Sequence, residues 1–82
     1  MRQFVLYGTI GCHLCEQAEA LLVPLLDNAL HAVECVDISD DDALLARYAV
    51  TIPVLRRVDD EAELRWPFDS TQAQTFLNGR AV

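Results

Sequence analysis

Phe4-Val5-Leu6-Tyr7-Gly8-Thr9-Ile10-Gly11-Cys12-His13-Leu14-Cys15 is the stretch on which the reading of this chain turns. The apolar run from Gln3 to Tyr7 predicts a buried strand. Gly8 to Gly11 supplies a glycine-rich turn. Leu14, Ala18, Leu21, Leu22, Leu25 and Leu26 then recur at helical spacing, which predicts a helix from about His13 to Asp27 or Asn28. Strand, turn, two cysteines and helix in that order place Cys12 at the mouth of the helix and Cys15 one turn inside. Thiols at that spacing lie close enough to form a disulfide. The unpaired N–H groups of the first turn and the positive end of the helix dipole favour the thiolate of the outer one. Such a pair can exchange disulfides with another molecule.

The rest of the chain continues the alternation. Pro24 either kinks the first helix or starts a separate final turn, and Asn28 is a plausible stop. Ala32 to Ile38 reads as a second strand, with Cys35 as a small apolar residue buried in it and His31 at the surface before it. Ser39 with Asp42 three residues on resembles a capping signal for a short helix over about Asp41 to Tyr48, with Leu44, Leu45 and Tyr48 facing inward. Apolar residues around Pro53 run on to Val58 as a third strand. Asp59-Asp60-Glu61 is a polar turn, and Ala62 to Trp66 forms a fourth strand that pairs with the third as an antiparallel hairpin. Arg56 and Arg57 alternate faces of the third strand and serve solubility. Asp69 or Ser70 caps a last helix, Thr71 to Leu77, stopped by Asn78-Gly79. The crossover after the first strand implies a parallel pair. The order β-α-β-α-β-β-α therefore predicts one α/β domain over residues 1–82, a four-stranded mixed sheet with helices on both faces.

Composition narrows the function. Eighty-two residues, 52% of them apolar, make one small domain with a modest core. No apolar run reaches the roughly 18 residues of a membrane span. Met1-Arg2-Gln3 leads straight into the first strand, which leaves no room for a signal peptide, so a cytoplasmic protein is expected. Three cysteines are too few and too uneven for a secreted disulfide framework. The net charge of −7, with no lysine, argues against nucleic acid and anionic membranes as partners. The same charge opposes an anionic substrate.

A strand leading to C-x-x-C on a helix start, with Thr51-Ile52-Pro53 opening a later strand, resembles the thioredoxin superfamily. The size, the single-helix crossover and Tyr7 five residues before Cys12 are similar to glutaredoxins, in particular the small bacterial glutaredoxin-like proteins with a Cys-His-Leu-Cys centre. The resemblance covers essentially the whole chain and implies a thioredoxin-like fold and thiol–disulfide oxidoreductase activity. By position it makes Cys12 the attacking thiol and Cys15 the resolving thiol. It puts Pro53 in the cis form beside them, and has the backbone of Ile52, next to Thr51, pair with an extended cysteine-containing substrate. Tyr7 and His13 would line the site, Tyr7 equally serving as a core ring and His13 either steadying the Cys12 thiolate or standing solvated at the helix start. The implied partners are a disulfide-bearing protein or small thiol substrate and an electron donor, either glutathione or a thioredoxin-type reductase. No bound cofactor or metal is required, and a monomer is expected.

The chain departs from the glutaredoxin pattern in three places. His13 stands where proline usually follows the first cysteine, and Thr9 where lysine is common. Pro67-Phe68 stands where a Gly-Gly pair holds a glutathione carboxylate, though Asp69 and Ser70 remain. Pro67 has no N–H to offer and Phe68 would crowd a ligand lying on the backbone, so the glutathione site is weakened. Trp66 and Phe68 read as packing groups. Two other classes of function remain open on the residues. Cys12-x2-Cys15 followed by His31-x3-Cys35 has zinc-like spacing. A helix over residues 13–27 would be roughly 22 Å long at about 1.5 Å per residue, which sets His31 at the opposite end of the sheet. An iron–sulfur cluster shared between two chains, or a binding module that kept the fold with little catalysis, completes the set.

Overall fold

The structure, a computed structural model, describes residues 2–27 and 29–79. Asn28, the expected stop of the first helix, lies outside the described residues. Four strands and three helices follow the predicted order: β1 (Arg2–Gly8), α1 (His13–Leu22), β2 (His31–Asp37), α2 (Asp42–Tyr48), β3 (Val54–Arg57), β4 (Glu63–Arg65) and α3 (Ser70–Leu77). The sheet runs β2-β1-β3-β4. β1 and β2 are parallel, in register from Arg2 opposite His31 to Gly8 opposite Asp37. β3 is antiparallel to β1, from Phe4 opposite Arg57 to Tyr7 opposite Val54. β4 closes the hairpin with Leu64 opposite Leu55.

Strand alternation sorts the apolar residues onto two faces. Phe4, Leu6, Leu55 and Leu64 face α1 and α3, where they form the main core with Ala18, Leu22, Ala73, Phe76 and Leu77. Tyr7 and Val54 face α2 and pack with Ile38 and Tyr48. The helices thus cover both faces of a mixed sheet. Ala18 and Ala73 are wholly buried, and with no bulk beyond Cβ they let α1 and α3 lie close to the sheet. Each fully buried Leu or Phe contributes roughly 1.5–3 kcal/mol of transfer free energy.

Pro24 decides where α1 ends. A proline cannot donate to the carbonyl four residues back, so the α-helix stops at Leu22 and Val23–Leu25 form a single 3₁₀ turn. The ten-residue helix is therefore about 15 Å long, shorter than the sequence suggested. Other local devices also differ from expectation. Asp41, rather than Ser39, caps α2, accepting from the Ala43 and Leu44 amides at 2.9 and 3.2 Å. Of the two caps expected for α3, Asp69 is the one used, in a reciprocal box with Gln72. Leu45, expected to face inward, is 41% exposed.

Three further expectations are overturned. His31 is buried, not superficial: its ring meets Phe4 edge-on, and Nδ1 accepts from the Asp27 amide at 3.0 Å. Arg57 is also buried, so it is structural rather than solubilising. Its guanidinium is bidentate to Asp60 at 2.9 and 2.6 Å, donates to the Phe76 carbonyl at 2.9 Å and stacks over the Phe76 ring. Cys35 is exposed, on β2 at one edge of the sheet.

Candidate functional site

The first turn of α1 brings the two cysteines together. Gly11 takes a positive φ of 79°, which turns the chain out of β1 and into the helix and favours glycine there. Cys12 follows as the N-cap with extended backbone angles, and its Sγ accepts a hydrogen bond from the Cys15 amide at 3.1 Å. Cys12 and Cys15 are joined as a disulfide with their Cα atoms 5.2 Å apart, inside the range such bonds occupy. When that bond opens, the same amide and the helix end face the Cys12 sulfur and stabilise it as an anion. Cys15 sits over Gly8: a Cβ at position 8 would stand 3.1 Å from its Sγ, so the missing side chain makes room for the inner sulfur.

The register carries the Thr51–Pro53 turn to the same end of the sheet. Val54 lies opposite Tyr7, so Pro53 is level with Gly8, the end from which the cysteine turn springs. The Ile52–Pro53 peptide bond is cis, as is Trp66–Pro67. The turn is braced from below, where the Thr51 and Ile52 amides donate to the Tyr48 carbonyl at 2.9 and 3.1 Å. The Thr51 hydroxyl donates to the same oxygen at 3.3 Å. The N–H of Ile52 is thus already engaged, and pairing with a partner strand would fall to its carbonyl.

Tyr7 and His13 are placed differently. Tyr7 is a core ring, stacked on Tyr48 with centroids 4.4 Å apart, and its hydroxyl accepts from Arg56 at 3.5 Å. It points to the α2 face, away from the face on which α1 presents Cys15. His13 is almost fully solvated, with Nδ1 3.6 Å from the Glu16 carboxylate. Phe68 turns inward to the main core and meets Trp66 edge-on, so it does not crowd the surface as the sequence suggested. Pro67 remains without a donor.

The residues that sequence reading undervalued stand beside Cys15. Cys35, Glu19 and Asp37 line one cavity with it. Partial desolvation against the cleft wall, then the Glu19 charge, pushes the Cys35 thiol above its ordinary value. Hydrogen bonds from the Ser39 hydroxyl and amide hold the Asp37 carboxyl below the usual carboxylate range. The available signal was the parallel register, which sets Cys35 beside Leu6 and Asp37 beside Gly8.

The same register disposes of the zinc-like spacing. His31 lies opposite Arg2, at the far end of β1 from the turn that carries Cys12. Among the described residues, no three or more His, Cys, Asp or Glu side chains converge as a metal site. Among them, too, no helix is long and apolar enough to cross a membrane.

A β-α-β-α-β-β-α sheet with a C-x-x-C disulfide at the start of its first helix defines a thioredoxin-like protein of the glutaredoxin type. Within that class the chain belongs to the glutaredoxin-like domain family (DUF836), which matches residues 3–78. Two solved structures share the fold across nearly the whole chain. The crystal structure of the structural-genomics target protein XcR50 from X. campestris is 36% identical, with a TM-score of 0.81 over 95% of this chain and 99% of that one. The solution structure of protein Ne2328 from Nitrosomonas europaea is 33% identical, with a TM-score of 0.75 over 92% of this chain and 89% of that one. No curated protein matches the sequence.

Proposed function

We propose that the protein is a thiol–disulfide oxidoreductase working through the Cys12/Cys15 dithiol. The observation that carries this reading is the Cys15 amide aimed at the Cys12 sulfur at the helix start, next to a partner thiol at bonding distance. In the reduced protein the Cys12 thiolate attacks one sulfur of a substrate disulfide. A mixed disulfide forms and the other substrate sulfur leaves, taking up a proton. Cys15 then loses its proton and attacks Cys12, so the second substrate thiol departs and the Cys12–Cys15 disulfide remains. The sum is one dithiol and one disulfide exchanged for one disulfide and two thiols.

The Thr51-Ile52-Pro53 turn would hold an extended substrate segment across the mixed disulfide, through the Ile52 carbonyl. His13 stands close enough in sequence to tune the exposed sulfur from the solvent side. A thioredoxin-type reductase is the better-supported electron donor, because Pro67 offers no amide to a glutathione carboxylate and the chain's negative charge opposes that anion. No step needs a bound cofactor.

The test is reduction of a protein disulfide such as that of insulin by the reduced protein. Cys12→Ser should abolish turnover, and Cys15→Ser should stall with the substrate covalently attached to Cys12. Turnover that survives Cys12→Ser would overturn the assignment.

A further inference from the structure

A cavity of about 210 Å³ opens on the β2 side of the disulfide, across α1 from the Pro53 turn. Gly8 and Ile10 of the turn, Cys15 and Glu19 of α1, and Cys35 and Asp37 of β2 line it. The space is smaller than the roughly 300 Å³ at which compact ligands are usually enclosed, so it suits a single side chain. One wall is apolar. Leu6 and Val36 contribute to it, and Ile10 stands 89% exposed at its lip.

The other wall is charged with one sign. Glu19 and Asp37 are the charged residues of the lining, and among the described residues neither is in an ion pair. Glu19 lies near enough to Cys35 for its charge to add to the effect of burial in raising that thiol. Hydrogen bonds from the Ser39 hydroxyl and amide favour the ionised form of the Asp37 carboxyl. An unpaired acidic wall opposite an apolar lip matches a long side chain with an aliphatic stem and a cationic head.

We propose that this cavity is a specificity pocket for a cationic side chain, arginine or lysine, next to the reactive cysteine of a protein substrate. The inference rests on the oxidoreductase reading for its substrate, but the pocket's preference is measurable without turnover. The stem would lie along Ile10 and the head between Glu19 and Asp37, while the neighbouring cysteine reaches Cys12. The pocket and the Pro53 turn flank the disulfide on opposite sides. A substrate segment crossing the dithiol would be read by its backbone on one side and by this side chain on the other.

Two peptides, each disulfide-linked to a chromogenic thiol and differing only in Arg or Gln beside the cysteine, provide the test. The Arg peptide should be reduced about five- to tenfold faster at low salt, the size expected of one or two partly solvated ion pairs. The preference should fall towards unity in Glu19→Gln and in about 0.5 M salt, where charges are screened beyond a few ångström. Glu34→Gln is the control. It removes the same charge from the neighbouring β2 position, whose side chain points to the opposite sheet face, and should keep the preference.

Equal rates for the two peptides in the unaltered protein overturn the pocket, as does an equal loss of preference in Glu34→Gln, which would assign it to net charge alone. If neither peptide is reduced, the oxidoreductase reading fails, and the pocket is judged by binding instead. The oxidised protein is titrated with an Arg peptide whose cysteine is replaced by serine. Saturable amide shifts at Cys15, Glu19, Cys35 and Asp37 that vanish in Glu19→Gln uphold it, and their absence refutes it.

Discussion

Replacing Arg57 by Met should unfold a large part of this protein's stability margin while leaving its sulfur chemistry alone. The guanidinium is 6% exposed and makes three kinds of contact. Its hydrogen bond to the Phe76 carbonyl joins the middle of the sheet to the last turn of α3, and a bond from a charged donor contributes about 1.5–3 kcal/mol. Its position 4.7 Å over the Phe76 ring adds about 0.5–2 kcal/mol. The pair with Asp60 is half-solvated on the acid's side, so solvent screening leaves it a minor contribution. Two effects reduce the total. Met restores apolar contact with Phe76, and the Gly79 amide still donates to the Phe76 carbonyl at 3.0 Å, so that oxygen is not orphaned. The net expectation is about 2–3 kcal/mol, against roughly 4–12 kcal/mol for a chain of 82 residues. With a urea slope near 1–1.5 kcal/mol/M for so small a domain, the midpoint should fall by about 2 M.

The pH dependence of that difference checks the assignment to Arg57 and Asp60. The hydrogen bond from Arg57 holds the Asp60 carboxyl down at about 2, below its ordinary 3.8. A carboxyl lowered by folding stabilises the native state above its unfolded value and loses that stabilisation as pH falls through the folded one. The gap between the parent and Arg57→Met should therefore be widest above about pH 5 and narrow from about pH 4 towards 2. It should not close, because the bond to Phe76 and the stacking do not titrate there. Urea melts at several pH values, followed by circular dichroism, measure it. A midpoint shift below about 0.5 M, or a gap that stays flat from pH 6 to 2, would refute the reasoning.

Two further outcomes follow from the geometry of the sheet's thiol end. Gly8→Ala places a Cβ 3.1 Å from the Cys15 sulfur and 3.2 Å from its Cβ. It should cost about 1–2 kcal/mol and prolong the mixed disulfide severalfold in single-turnover mixing, with the initial attack by Cys12 unchanged; an unaltered second phase would contradict the packing argument. Tyr48→Phe removes a hydroxyl bonded to Glu63 but keeps the stack on Tyr7, so about 1 kcal/mol is expected. Burial first, then the Glu63 hydrogen bond, pushes the Tyr48 phenol up to about 12. Its stabilising effect is complete below about pH 10 and disappears between about 10 and 12, so alkaline melts of Tyr48→Phe should lack that loss.

The elements were legible because each has a local cause. Apolar alternation and helical spacing placed seven elements to within a few residues, and Pro24 carried the end of α1 as one of two readings. The cysteine pair was legible too, since a glycine turn before C-x-x-C and an apolar stripe after it leave few other arrangements. His31, Cys35 and Arg57 were misread for one shared reason. Their burial depends on which strands are edges and which helix covers them. Arg57 is buried because its guanidinium packs against Phe76 of α3, and Cys35 is exposed because β2 lies at an edge of the sheet. Phe68 was read as a packing group, and its ring does fill the main core, edge-on to Trp66; only the expected crowding of a backbone ligand is lost.

By itself the chain determined the order of strands and helices, the helix start that brings Cys12 and Cys15 together, and the resemblance to glutaredoxins. The elements and the cysteine turn rest on neighbours within a few residues of one another, and the resemblance on such local motifs strung along the chain. Only the folded sheet decided that Pro53 stands level with Gly8, that Tyr7 turns away from the thiols, and that Glu19, Cys35 and Asp37 share a cavity with Cys15. Those pairings join residues tens of positions apart, and strand register, which no local pattern encodes, is what sets them.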